Sequence, residues 1–171
     1  MFQQNYFELF GLPVQFNLNR SDLSSAFRQQ QTAHHPDKFA HADDKSQRES
    51  LQKSAYINQA YQTLSTPTLR AAYLLELAEG KERREHTMRP DAAFLMQQMM
   101  WREQLEEAET LDDIESLIET VRSELPVVET SFVSAYEKQD YELAHHAVDT
   151  MQFVYKLVAE AESKEARLLD E

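Results

Sequence analysis

The sequence contains no cysteine, which excludes disulfides, thiolate metal sites and cysteine nucleophiles. Its 171 residues include only two glycines and five prolines, a composition that favours long helices over β-hairpins. No apolar run approaches the roughly 18 residues that a membrane-spanning helix needs. The N-terminal segment has neither the features of a secretory signal nor those of an organelle transit peptide. We therefore expect a soluble, cytoplasmic protein that does not act at a membrane.

The formal charge of −13 is distributed unevenly along the chain. Residues 1–77 hold seven basic and seven acidic side chains, whereas residues 78–171 hold ten and twenty-three. The change in composition near Gly80 predicts a domain boundary. We expect a first domain at 1–77, a linker at 78–90 and a second domain at 91–171. Net negative charge argues against nucleic acid as a partner, because binding phosphates requires clustered Lys and Arg.

Both domains are predicted to be helical. Apolar periodicity and caps place helices in the first domain at about 5–12, 18–35, 46–65 and 67–79. The inner face of the third of these is predicted from Leu51, Ala55, Ile57, Tyr61 and Leu64. In the second domain, helices are expected from Asp91 to about Ala108, from Thr110 to about Tyr136 with a kink at Pro126, and from Asp140 to Leu169. The predicted fold class is all-α, with an antiparallel three-helix bundle as the second domain.

A His-Pro-Asp tripeptide separates the second and third predicted helices. Pro36 ends the preceding helix, because the residue before a proline is driven out of the α region. Asp37 can accept backbone hydrogen bonds or present a carboxylate to an arginine of a partner, and His35 can donate or accept across the turn. On these residues alone, a plain helix end followed by a polar loop remains an alternative.

The first 77 residues resemble the J-domain of DnaJ-type co-chaperones. The resemblance depends on an ordered set: the aromatic stretch "NYFELFGLP", the tripeptide within "HHPDKF", and the run "INQAYQTLSTPTLRAAYLL". It implies that His35, Pro36 and Asp37, with Arg28 and Lys38, bind the ATPase domain of a DnaK/HscA-type chaperone and stimulate ATP hydrolysis there. The second helix departs from the family pattern, because it carries few basic residues and has Gln30 and His34 where apolar or aromatic residues are common.

The whole chain resembles the HscB family, the J-domain co-chaperones of bacterial iron–sulfur cluster assembly. The stretch "AFLMQQMMWREQLEEAE" extends the resemblance into the second domain, where the family binds the scaffold protein IscU. The resemblance implies a co-chaperone that delivers this scaffold to its ATPase partner, without cofactor or catalysis of its own. An alternative is a J-protein that serves a different client.

The helix from Asp91 to Ala108 carries more apolar side chains than one face can hold. At about 100° per residue, Phe94, Trp101, Leu105 and Ala108 form one stripe, and Leu95, Met96, Met99 and Met100 form a second, which includes Glu103. Methionine is common on adaptable binding surfaces, so the second stripe predicts a docking site. Burial of the helix on two sides is the alternative. By position in the family, the scaffold contacts are Leu95, Met96, Met99, Met100 and Glu103, with Phe153 of the last helix as a further candidate.

Two other functions are alternatives to co-chaperone activity. Catalysis has little support, since no nucleophile is paired with a base. The histidines, at positions 34, 35, 41, 86, 145 and 146, lack the spacing of metal ligands. We therefore predict no metal site. A helical adaptor with an inactive J-domain is the other possibility, and the intact tripeptide argues against it.

Overall fold

The computed structural model describes residues 4–80 and 91–171, and within them it contains helices and no strand. The chain divides into two compact units, Met1–Ala78 and Glu79–Glu171. Most of the predicted linker lies outside the described residues. The helices are α1 (Tyr6–Leu9), α2 (Arg20–His34), a 3₁₀ turn (Pro36–Phe39), α3 (Asp44–Ser65), α4 (Pro67–Glu79), α5 (Ala92–Glu107), α6 (Leu111–Arg122), α7 (Leu125–Glu137) and α8 (Tyr141–Leu169). The predicted all-α fold class is confirmed.

The first unit is built on a hairpin of α2 and α3. Its core consists of apolar side chains from all four helices and from the segment after α1, and it includes Phe7, Leu23, Ile57, Leu64, Leu74 and Leu75. Phe27 of α2 stacks on Tyr61 of α3 with ring centroids 4.1 Å apart. The predicted inner face of α3 is wrong at Leu51 and Ala55, which are both exposed. Ser50 is buried in their place, and this shift turns the face by about 100° at the N-terminal end of the helix.

Local capping chemistry fixes most helix starts. The Asn19 side chain accepts the N–H groups of Ser21 and Asp22, so it is the cap of α2. Asp91, Thr110 and Asp140 cap α5, α6 and α8 in the same way. Each of these caps lies at or next to the predicted start of its helix, and each is a short polar side chain that accepts a free helix N–H within three residues.

A buried arginine of α4 joins the segment after α1 to the last turn of α3. Arg70 donates from Nε to the Leu64 carbonyl at 2.8 Å and from a terminal nitrogen to the Phe16 carbonyl at 2.5 Å. Its guanidinium also lies 5.0 Å from the centre of the Phe16 ring. One charged side chain therefore satisfies two carbonyls in the interior of the unit.

Replacing Arg70 with methionine is expected to destabilise the first unit. Methionine retains much of the volume but leaves two acceptors without these donors, and each such loss costs about 1–3 kcal/mol. We expect a loss of at least about 2 kcal/mol in the free energy of unfolding, measured by urea titration of the circular dichroism signal. The exposed Arg20→Met is the matched control and should change stability by less than about 0.5 kcal/mol. Equal stability of both variants would show that the Arg70 bonds contribute little.

The second unit is a bundle arranged around the 29 residues of α8. Phe94 contacts His146 near the start of α8, and the Leu105 carbonyl accepts from Lys164 near its end, so α5 runs parallel to α8. The intervening segment runs in the opposite direction: α6 packs on the C-terminal half of α8, and α7 ends beside Tyr141. The direction of the chain therefore alternates between α5, the α6–α7 segment and α8.

The segment between α5 and α8 has a different helical structure from the predicted one. The sequence predicts one helix from Thr110 to Tyr136 with a kink at Pro126, but the structure has two helices, α6 and α7, separated by Ser123 and Glu124. Pro126 lies in the first turn of α7, where a missing N–H removes no helical hydrogen bond. The proline starts a helix here and does not bend one, so the described part of the unit contains four helices.

Candidate partner-binding sites

The His-Pro-Asp tripeptide forms a tight turn directly after α2. His35 is in an extended conformation with ψ 133°, as the following proline requires, and it ends α2. Pro36 opens the 3₁₀ turn, in which the Lys38 N–H donates to the His35 carbonyl at 3.0 Å. The predicted end of α2 at Pro36 is confirmed.

The side chains of His35 and Asp37 face solvent on this turn. The Asp37 N–H donates to His35 Nδ1 at 3.2 Å, and the Asp37 carboxylate lies 3.5 Å from the same nitrogen. Because Nδ1 accepts in this arrangement, a neutral ring carries its proton on Nε2. The Asp37 side chain is 92% exposed. The turn therefore presents an imidazole donor and a carboxylate that can both reach a partner.

Two polar side chains of α3 hold the turn in place. Ser50 is buried and donates its hydroxyl to the His34 carbonyl at 3.0 Å. Gln47 donates its amide to the carbonyls of Ala40 and Ala42, both at 3.1 Å. Sequence reasoning missed these positioning residues, since neither has a local signal. Ser50 binds a carbonyl of α2, and Gln47 binds carbonyls of the loop between the turn and α3.

The two predicted basic contacts lie on one surface. Arg28 of α2 and Lys38 of the turn line the same shallow depression, together with Ser25, Gln29, Thr32 and Ala33. Both basic side chains are exposed. The structure therefore brings Arg28 and Lys38 together beside the tripeptide, where two positive charges can meet an acidic surface.

The two departures from the family pattern have structural roles. Gln30 donates its amide to the Leu9 carbonyl at 3.1 Å, so it joins α2 to α1 by a hydrogen bond. His34 is half-buried, and burial is the main cause that lowers the pKa of its ring, followed by the positive charges of Lys53 and Lys38. These effects favour the neutral form of its imidazole.

The second stripe of α5 is on the surface. Trp101 and Ala108 of the first stripe are buried, and Phe94 and Leu105 are half-buried. In the second stripe the exposed fractions are 42% for Leu95, 64% for Met96, 70% for Met99 and 52% for Met100, and Glu103 is also exposed. The alternative that α5 is buried on two sides is therefore wrong. We refer to Leu95, Met96, Met99 and Met100 as the α5 stripe.

Phe153 is less accessible than the α5 stripe. Its ring packs 6.2 Å from the Trp101 ring and 6.0 Å from the Phe94 ring, and the Arg102 guanidinium covers it at 5.4 Å. Arg102 is held there by the Glu160 carboxylate, 3.0 Å away. Phe153 is therefore half-buried at the edge of the bundle core.

Neither a metal cluster nor a membrane helix occurs in the part of the chain that the structure describes. Residues 4–80 and 91–171 contain no group of three or more metal-ligating side chains in a suitable arrangement. None of their helices is long and apolar enough to cross a membrane.

Two family matches cover most of the chain. Residues 5–73 match the DnaJ domain, and residues 90–162 match a family described as the HSCB C-terminal oligomerisation domain. The first match contains the tripeptide turn, and the second contains the α5 stripe.

Known proteins resemble the chain over nearly its full length. The co-chaperone protein HscB homolog of Mannheimia succiniciproducens is 40% identical, over 97% of this chain and 98% of that protein. Among solved structures, chaperone HscB from Vibrio cholerae is 37% identical with a TM-score of 0.86, covering 96% of this chain and 99% of that one. Human co-chaperone protein HscB is 28% identical with a TM-score of 0.88, covering 95% of this chain and 83% of that one.

Proposed function

The chain belongs to the HscB family of J-domain co-chaperones, and we propose that it couples a DnaK/HscA-type chaperone to an IscU-type iron–sulfur scaffold protein. Family membership assigns it a non-enzymatic role in iron–sulfur cluster assembly, and its J-domain implies an Hsp70-type partner. The finer proposal is that the first unit stimulates the chaperone's ATPase and the second unit delivers the scaffold. We propose the bacterial cytoplasm as the site of this activity, because a relative that is 40% identical is bacterial.

The chaperone contact is proposed at His35, Pro36 and Asp37, with Arg28 and Lys38. The strongest support is the Asp37 carboxylate, which is almost fully exposed on a turn held by α3. A preorganised carboxylate can form a bidentate pair with an arginine at little entropic cost. The paired basic side chains of the adjoining depression add an oppositely charged contact to the same face.

The scaffold contact is proposed at Leu95, Met96, Met99, Met100 and Glu103, with Phe153 at the edge. The observation that carries this proposal is the α5 stripe, four large apolar side chains that are each at least 42% exposed on adjacent turns of one helix. Isolated apolar residues are common on surfaces, whereas a contiguous patch marks an interaction site. Flexible methionines fit a protein surface of irregular shape.

Separate units for the two partners allow both to be bound together. We propose 1–77 as the J-domain and 91–171 as the scaffold-binding domain, joined by 78–90. Linking two binding sites in one chain raises the effective concentration of one partner at the other. The chain then acts by bringing the scaffold to the chaperone as ATP hydrolysis is triggered.

Titration calorimetry with two clients tests the proposal. The full chain should bind an IscU-type scaffold and should bind an unrelated unfolded protein at least about tenfold more weakly, a difference of about 1.4 kcal/mol. Comparable binding of both clients would favour the alternative, a J-protein that serves other clients.

A further inference from the structure

The α5 stripe concentrates the accessible sulfur of the described chain. Met96, Met99 and Met100 are at spacings of three and four, so their side chains are neighbours on one face. All three are more than half exposed, whereas Met151 in the core of the bundle has no exposed surface. The chain has no cysteine, and residues 4–80 contain no methionine. Sulfur chemistry at the surface of the described residues is therefore restricted to the proposed scaffold contact.

We propose that Met96, Met99 and Met100 are a reversible oxidation site that switches off scaffold docking. The inference deepens the proposed function and depends on it. The oxidant is a peroxide, and the modified state is methionine sulfoxide.

The chemistry is a two-electron oxygen transfer. The thioether sulfur attacks one peroxide oxygen, an S–O bond forms, the O–O bond breaks, and hydrogen peroxide is reduced to water. Reversal by a methionine sulfoxide reductase consumes a dithiol, which becomes a disulfide as the oxygen leaves in water. Oxidation requires contact with the oxidant, so exposed thioethers react before the buried Met151.

Oxidation would change docking without changing the fold. A sulfoxide is a polar acceptor, and an apolar contact surface would have to remove its water without replacing the hydrogen bond. The three side chains lie outside the core of the second unit, so the bundle keeps its packing. The tripeptide turn has no methionine near it in sequence, so stimulation of the chaperone should continue while delivery of the scaffold stops.

The experiment treats the full chain with hydrogen peroxide and locates the oxidised residues by peptide mass spectrometry. We expect sulfoxides at Met96, Met99 and Met100 before Met151, and a loss of at least about tenfold in scaffold affinity by calorimetry. Circular dichroism and stimulation of the chaperone's ATPase in the absence of scaffold should not change. Reductase with a dithiol should restore binding. Met151→Leu removes the buried thioether at a position outside both proposed contacts. On treatment, this variant should show the same loss of scaffold affinity as wild type.

A second variant separates oxidation of the stripe from other damage. In Met96→Leu/Met99→Leu/Met100→Leu no stripe thioether remains, so the ratio of its treated and untreated affinities should be close to one. If treated wild type binds scaffold as tightly as untreated protein, the oxidation inference is overturned. The proposal that the α5 stripe binds the scaffold would still stand. A loss of helical signal, or a loss that the reductase does not reverse, would also overturn it. If untreated wild type fails to bind, the docking proposal itself fails and the inference with it.

Discussion

Asp37→Asn is expected to abolish stimulation of the partner chaperone's ATPase without altering the fold. Asparagine has the same shape, but it cannot supply a negative charge to an arginine of the partner. Losing one member of a charge pair at an interface costs about 2–5 kcal/mol, so apparent affinity should fall by roughly thirtyfold or more. The side chain is 92% exposed, and so the substitution leaves no buried group unsatisfied. The measurement is steady-state ATP hydrolysis, with circular dichroism of each variant.

Two further variants make this test specific to the turn. His35→Gln removes the imidazole that flanks the carboxylate and should also abolish stimulation. Asp44→Asn makes the same change of charge at a nearby exposed position in the first turn of α3 and should keep normal stimulation. Normal stimulation by both turn variants would show that the chaperone is contacted elsewhere.

Replacing Leu95, Met96 and Met99 with alanine is expected to reduce scaffold affinity at least about tenfold. Interface apolar anchors are typically worth about 1–2 kcal/mol or more each, and three are removed together. Folding should change little, because the side chains are exposed and alanine is the strongest helix former. Calorimetry with the scaffold measures the loss, and thermal melts of both proteins measure stability.

The second unit offers a matched control for this variant. Val127 and Leu143 are similarly exposed apolar residues outside the stripe. Val127→Ala/Leu143→Ala removes exposed apolar surface outside the stripe and should leave scaffold affinity unchanged. A large fall in the melting temperature of the stripe variant would mean that the stripe supports the fold. A stable variant that binds as tightly as wild type would place the contact on another part of the bundle.

Features that depend on neighbouring residues could be predicted from the sequence. Caps such as Asn19 and Asp91 act within one helical turn, and the end of α2 follows from the steric effect of Pro36 on His35. The α5 stripe was also predictable, because two apolar faces on one helix exceed what a single core direction can bury. The tripeptide turn and the α5 stripe could therefore both be located along the chain from the sequence.

Features that depend on distant partners could not be predicted. Ser50 is buried because it packs against α2 and binds the His34 carbonyl. That carbonyl lies sixteen positions earlier in the chain. Pro126 lies in the first turn of a helix because the chain turns at Ser123 and Glu124. The sequence contains no glycine there that would predict this break. Phe153 is half-buried because Arg102, held by Glu160, covers its ring. Each outcome depends on which helices meet, and periodicity within one helix carries no such information.

The central claim is that the chain stimulates the chaperone and docks the scaffold through separate surfaces. ATPase rates of the partner chaperone, measured with the chain alone and with chain plus scaffold, test it most directly. The account predicts that wild type raises the rate and that scaffold raises it further. It also predicts that Asp37→Asn fails in both conditions, and that the alanine stripe variant keeps the first increase and loses the second. A stripe variant that loses both increases while remaining folded, or one that keeps both, would contradict the claim.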